Sequence, residues 1–182
     1  EFKYSDFLFV AFGDNDEDVL SAENLATSWD LTKAFEEIDQ IDEVLSLSNI
    51  NRIENVDNFL EVDKLISRRN LTEKEINNIS KYLKDNPNIS AQMIGKNNDY
   101  INIIIRPKKD ASFSMLVASI QEITAPYEKN HDFHLGGQPY IAGKVPGLIK
   151  AETQKLMLIG LLIMSIILLS NLRSLSAVVM II

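Results

Sequence analysis

YSDFLFVAF, residues 4–12, runs directly into GDNDEDVLSAENL, residues 13–25, and this junction sets the fold class. The first piece is rich in aromatic and β-branched residues, with little polar relief after Asp6, which predicts a strand covered on at least one face. In the second piece Ser21 is placed to cap a helix reaching about Asp39. Glu23 sits near its positive end, and Leu25, Trp29, Phe35 and Ile38 form an apolar stripe. Between strand and helix, Asp14, Asp16 and Asp18 are spaced like the start of a calcium loop. Such a loop needs a glycine at its sixth position and a bidentate glutamate at its twelfth. Those positions hold Val19 and Leu25. The acids therefore read as a solvated turn, and no metal is assigned to them.

Downstream, IDEVLSLSNI (41–50) predicts a second strand fraying at Ser46, Ser48 and Asn49. A less regular stretch, 51–70, leads to a helix announced by the Thr72–Glu75 capping box, with Ile76, Ile79 and Leu83 on one face and Asn86–Pro87 at its end. SAQMIG (90–95), a KNND turn and YINIIIRP (100–107) read as a strand hairpin. Ile101, Ile103 and Ile105 there show the two-residue period of a half-buried sheet. Asp110 or Ser112 caps a further helix to about Ala125, with Phe113, Leu116, Val117, Ile120 and Ile123 at helical spacing. DFHLGGQPYIAG (132–143) predicts a last strand ending in glycines. With the inserted helix removed, the order is that of a split βαβ repeat. The expected fold is therefore α+β, a ferredoxin-like sandwich with an inserted helix, followed by a transmembrane helix.

The transmembrane expectation comes from a sharp change of composition. Of the 182 residues, 24% are charged, yet the segment from Leu156 to Ile182 carries one charge, Arg173. LMLIGLLIMSIILLS (156–170) is apolar all round. It continues a helical pattern from GLIKAETQKL, where Lys150 and Lys155 can snorkel. The expected organisation is a domain over 1–143, a linking and transmembrane helix over 144–170, and a short cytoplasmic turn over 171–182 that begins a further membrane helix. A start at Glu1 and an end within an apolar run suggest a piece of a larger membrane protein. The absence of cysteine excludes disulfides and thiolate metal sites.

Few residues suggest chemistry. His131 and His134, three apart at the approach to a strand, would face opposite sides and share no metal, reading instead as a solvent-facing pair. GGQP (136–139) lacks the context of a phosphate-binding loop and reads as a tight turn. The pairs Arg68, Arg69 and Lys108, Lys109 lack interleaved aromatics in an acidic domain, so they read as solvated loop charges and nucleic-acid binding is not expected. With no Ser-His-Asp set, nucleophile elbow or paired carboxylates, enzyme activity is not expected, and no catalytic, cofactor-binding or metal-binding residue is assigned.

LFVAFGDNDEDVLSAENLATSWDLTKAFEEIDQIDEVLSLSNINRIE (8–54), together with LGGQPYIAG running into LMLIGLLIMSIILLSNLRSLSAVVMII, resembles the extramembrane porter domain of the resistance-nodulation-division superfamily. The likeness is to the predicted exporters related to the mycobacterial membrane protein large group and to Patched-like proteins. The resemblance covers nearly the whole chain and rests on the order of its segments rather than on one motif. It implies a proton-driven exporter of two repeated halves in the bacterial inner membrane, with residues 1–143 on the periplasmic side. Its partners would be membrane lipids, a hydrophobic or amphiphilic substrate and the second repeat of its own chain, with oligomerisation left open. The family's proton-relay residues lie in a helix outside this sequence, so none is transferred. Arg173 suits a cytoplasmic turn under the positive-inside rule. The competing reading is a membrane-anchored periplasmic sensor or a ligand- or protein-binding module. A phosphate-binding enzyme on the same fold is disfavoured by the acidic turn.

Overall fold

The computed structural model describes residues 7–13, 18–56 and 59–172. In chain order the elements are β1 (Leu8–Gly13), α1 (Ala22–Glu36), β2 (Ile41–Leu45), β3 (Asn51–Val56), β4 (Phe59–Lys64), α2 (Glu73–Asp85), α3 (Pro87–Met93), β5 (Ile101–Pro107), α4 (Phe113–Thr124), β6 (Asp132–Gly136) and α5 (Gln138–Leu172). The chain divides into two units, Glu1–Gly143 and Lys144–Ile182.

The first unit is α+β. Its main sheet is antiparallel throughout, in the order β2-β5-β1-β6. Because β5 runs against both β1 and β2, those two strands share one direction, and β5 and β6 share the other. The register aligns the apolar positions: Leu8 faces Ile105, Val10 faces Ile103 and Leu135, and Phe12 faces Ile101 and Phe133. Directly opposed residues share a sheet face. On this face Leu8, Val10, Phe12, Ile101, Ile103 and Ile105 are fully buried, in one core with Leu25, Leu31 and Phe35 of α1 and Leu116, Val117 and Ile120 of α4. Each such side chain contributes roughly 1.5–3 kcal/mol by leaving water. The opposite face is more open, with Phe9 exposed and Ala11, Asn102, Ile104 and Arg106 half-buried.

The helix starts follow their sequence signals. Ser21 Oγ accepts from the Asn24 amide at 3.1 Å, and α1 ends at Glu36, slightly short of the expected Asp39. Thr72 and Glu75 form the full capping box of α2.

Three expectations are corrected. Residues 51–64, read as irregular, form the β3–β4 hairpin, in register from Asn51–Lys64 to Val56–Phe59. SAQMIG lies mostly in helix: α3 begins at Pro87, whose fixed φ and missing N–H suit a first helical position. Only Ile94 remains extended, bridging to Ile101, so β5 pairs with β1 and β2 rather than with a strand at 90–95. At the C-terminal end, Gln138–Gly143 is helix rather than strand. Gly137, at φ 100°, makes the reversal from β6 into α5.

The transmembrane helix expected over 144–170 falls within α5. Among the described residues no helix is long and apolar enough to cross one. The uncharged part of α5, Leu156 to Leu172, rises about 26 Å at 1.5 Å per residue, against a hydrocarbon layer of ~30 Å. The expected turn at 171–182 lies outside the described residues beyond Leu172.

Candidate functional site

α1 presents an unexpectedly polar face to the core. Asn24, Thr27, Ser28 and Thr32 are buried beside its leucines, while Trp29, expected on the apolar stripe, is half-buried with Lys33 Nζ 5.5 Å from its ring centre. Ser28 and Thr32 are met by the end of β2. Thr32 Oγ1 donates to the Ser28 carbonyl at 2.6 Å and lies 2.7 Å from Ser46 Oγ, and Ser48 Oγ donates to Ser28 Oγ at 3.3 Å. Asn49 closes the loop, accepting from the Ser46 amide and donating to the Val44 carbonyl. The serines that mark the end of β2 therefore hold that end to α1.

His131 belongs to the same polar face. It is buried, with Nε2 3.1 Å from Thr27 Oγ1 and its ring edge-on to Phe12 and Phe133. Among the described residues, its Nδ1 and Asn24 Oδ1 of α1 are buried without a hydrogen-bond partner. The reading of two solvent-facing histidines is thus half corrected. His134 alone is exposed, 3.2 Å from the Tyr100 hydroxyl and 3.3 Å from Asp132. Two of the residues that bury His131, Thr27 and Phe12, lie over 100 positions away in sequence, so its burial is not legible from the residues beside it.

Of the acidic turn, residues 14–17 lie outside the described part of the chain. Asp18 is a helix-entry residue: its carboxylate accepts from the Leu20 amide, and its carbonyl accepts from the Ser21 amide and Asn24 Nδ2. Among the described residues no group of three or more histidines and acids is placed to hold a metal ion.

The basic pairs are more engaged than solvated loop charges would be. Arg69 forms a bidentate contact with Asp30, at 2.8 and 2.9 Å, joining the loop before α2 to α1. Arg68 grips Glu75 at 2.7 and 2.9 Å. Together with the Thr72 hydroxyl and amide, which dominate, it lowers the Glu75 carboxyl pKa to about 2. Lys108 Nζ lies 3.0 Å from Asp39.

A cavity of about 660 Å³ opens where β5 leaves the sheet, lined by Asp42, Arg106, Pro107, Lys108, Lys109, Asp110 and Phe113. Its size would suit a small molecule. Arg106, however, is held between Asp42 and Glu43, each at 2.8 Å, and Lys108 by Asp39. Those two cations are already matched, which leaves a mixed-charge recess without an excess of positive charge for an anion.

Among the described residues, most of the exposed large apolar side chains lie on α5. From Leu156 to Met164 every residue is exposed, and Ile166 and Ile167 follow. At about 100° per residue this run covers the whole circumference of the helix. No family model, curated protein or solved structure matches the chain.

Proposed function

We propose that the chain is the extramembrane domain and membrane entry of a proton-driven exporter of the resistance-nodulation-division type. The domain would flank the route of a hydrophobic or amphiphilic substrate in the bacterial inner membrane, with residues 1–143 on the outer side. In this reading the first unit is a ferredoxin-like sandwich. The interleaving of β1-α1-β2 with β5-α4-β6 supports it, and β3, β4, α2 and α3 form the insertion between the two repeats. α1 and α4 share a core with one face of the main sheet, and its more open face would meet a neighbouring domain, here the second repeat.

The observation that carries the proposal is α5. A helix that leaves a folded α+β unit and then exposes leucine, isoleucine and methionine on every side has no stable place in water. Seventeen uncharged residues are at the lower end of the spanning range of about 17–25, and Lys155 at their border can extend its ammonium out of the hydrocarbon layer.

The test is a disulfide engineered between this domain and its repeat partner in the complete transporter, with export followed with and without reductant. Transport that stops when cross-linked and returns on reduction supports a moving porter domain. Undiminished export by the cross-linked protein would favour the second reading, a membrane-anchored binding module, for which the 660 Å³ recess at Arg106 and Phe113 is the candidate ligand site.

A further inference from the structure

We propose that Lys150 and Lys155 form a basic collar on α5 that binds the headgroups of anionic phospholipids. This rests on the reading that α5 enters a bilayer at Leu156. The segment KAETQK, residues 150–155, is exposed at every position and directly precedes the apolar run. Glu152 is the only acid in α5, against lysines at 144, 150 and 155, so this helix is basic in a chain whose net charge is −8. The collar thus gives an otherwise acidic protein a local positive surface at the level where lipid phosphates would lie.

Helix geometry decides which lysines take part. With Leu156 at the edge of the hydrocarbon, the Lys155 backbone lies about 1.5 Å above it and that of Lys150 about 9 Å above it. Side chains on a helix lean toward its N-terminus, which here carries the Lys155 ammonium outward into the headgroup layer. That layer is roughly 5–7 Å deep on each side. Lys150 stands at its outer edge, within a Debye length of about 8 Å. Lys144 stands about 18 Å above the hydrocarbon edge. At that height it is screened from the phosphates.

Lys155 Nζ contacts Glu152 at 2.9 Å, an i,i+3 pair exposed by about two thirds on both sides. A pair so exposed is weak and exchanges readily for a phosphate oxygen, which accepts from the ammonium as a carboxylate does. Thr153 and Gln154 add neutral donors beside it.

The experiment is flotation of the full chain with vesicles of phosphatidylcholine alone and of phosphatidylcholine mixed with phosphatidylglycerol, at low and high salt. The expected result is stronger partitioning onto the anionic vesicles, by about fivefold per collar lysine (about 1 kcal/mol each), diminishing as salt is raised. The Lys150→Gln, Lys155→Gln double variant should lose this gain while still floating with both vesicles, and Lys144→Gln should keep it. Equal partitioning of the unaltered chain onto both vesicles, or a double variant that keeps the gain, overturns the collar while leaving the membrane reading intact. Failure to float with either vesicle removes the membrane reading and the collar with it.

Discussion

Thr27 Oγ1 and His131 Nε2 meet at 3.1 Å across 104 residues of sequence, joining the first helix to the start of the last strand inside the core. Removing one partner leaves a buried polar atom unpaired. Thr27→Val is expected to destabilise the first unit by about 1–3 kcal/mol. Combining it with His131→Phe removes both polar groups, so the double variant should lose less stability than the two single losses added together. Denaturant unfolding of the four proteins of the cycle measures this, and strictly additive losses would mean that the contact contributes nothing.

The reversal at Gly137 is strict. Its φ is 100°, and a Cβ there would stand 2.2 Å from the Phe7 carbonyl oxygen. Gly136, next to it, has open space around its Cβ position. Gly137→Ala should therefore destabilise by at least about 1–2 kcal/mol from the backbone conformation alone. Gly136→Ala should cost much less. Similar melting temperatures for the two variants would contradict this account of the β6–α5 turn.

Glu75 gives the capping box of α2 an acid dependence. Its carboxyl has a folded pKa of about 2, against an ordinary value of 4.5, mainly because the Thr72 hydroxyl and amide, and then Arg68, favour the charged form. With the folded pKa depressed, the stabilisation is fully present above about pH 4.5 and is lost as pH falls toward 2. Melting curves of the unaltered chain and of Glu75→Gln should differ at neutral pH and converge across that window. A difference that stays constant from pH 6 to pH 2 would show that the carboxylate charge is irrelevant to the cap.

Much of this architecture is legible in the sequence because its signals are local. The capping box at Thr72 and Glu75, the cap at Ser21 and the alternating isoleucines of β5 each need only a few neighbouring residues to be read. The hairpin was hidden because its alternations, Arg52-Ile53-Glu54 and Leu60-Glu61-Val62-Asp63, are each too short to exceed the background. In α3, Asn86-Pro87 stops one helix and starts another with the same residues. Glycines at 136 and 137 suggested the end of a strand, but did not show that the following Gln138-Pro139 opens a helix. At the candidate sites, the polar face of α1 is invisible in its own helical period. Ser28 and Thr32 are buried because Ser46 and Ser48 arrive from the end of β2. His131 is buried by Thr27, Phe12 and Phe133, which only the folded sheet brings together.

The proposed entry of α5 into a bilayer beyond Lys155 can be read out by an insertion assay on α5 with its natural flanking sequence. Leu162, exposed near the middle of the apolar run, is the position to change. Leu162→Arg should raise the apparent cost of insertion by about 2.5–3.5 kcal/mol and sharply reduce the inserted fraction. An inserted fraction unchanged by the arginine, or no insertion of the unaltered segment, would rule out membrane entry and make the apolar surface of α5 a site for protein rather than lipid.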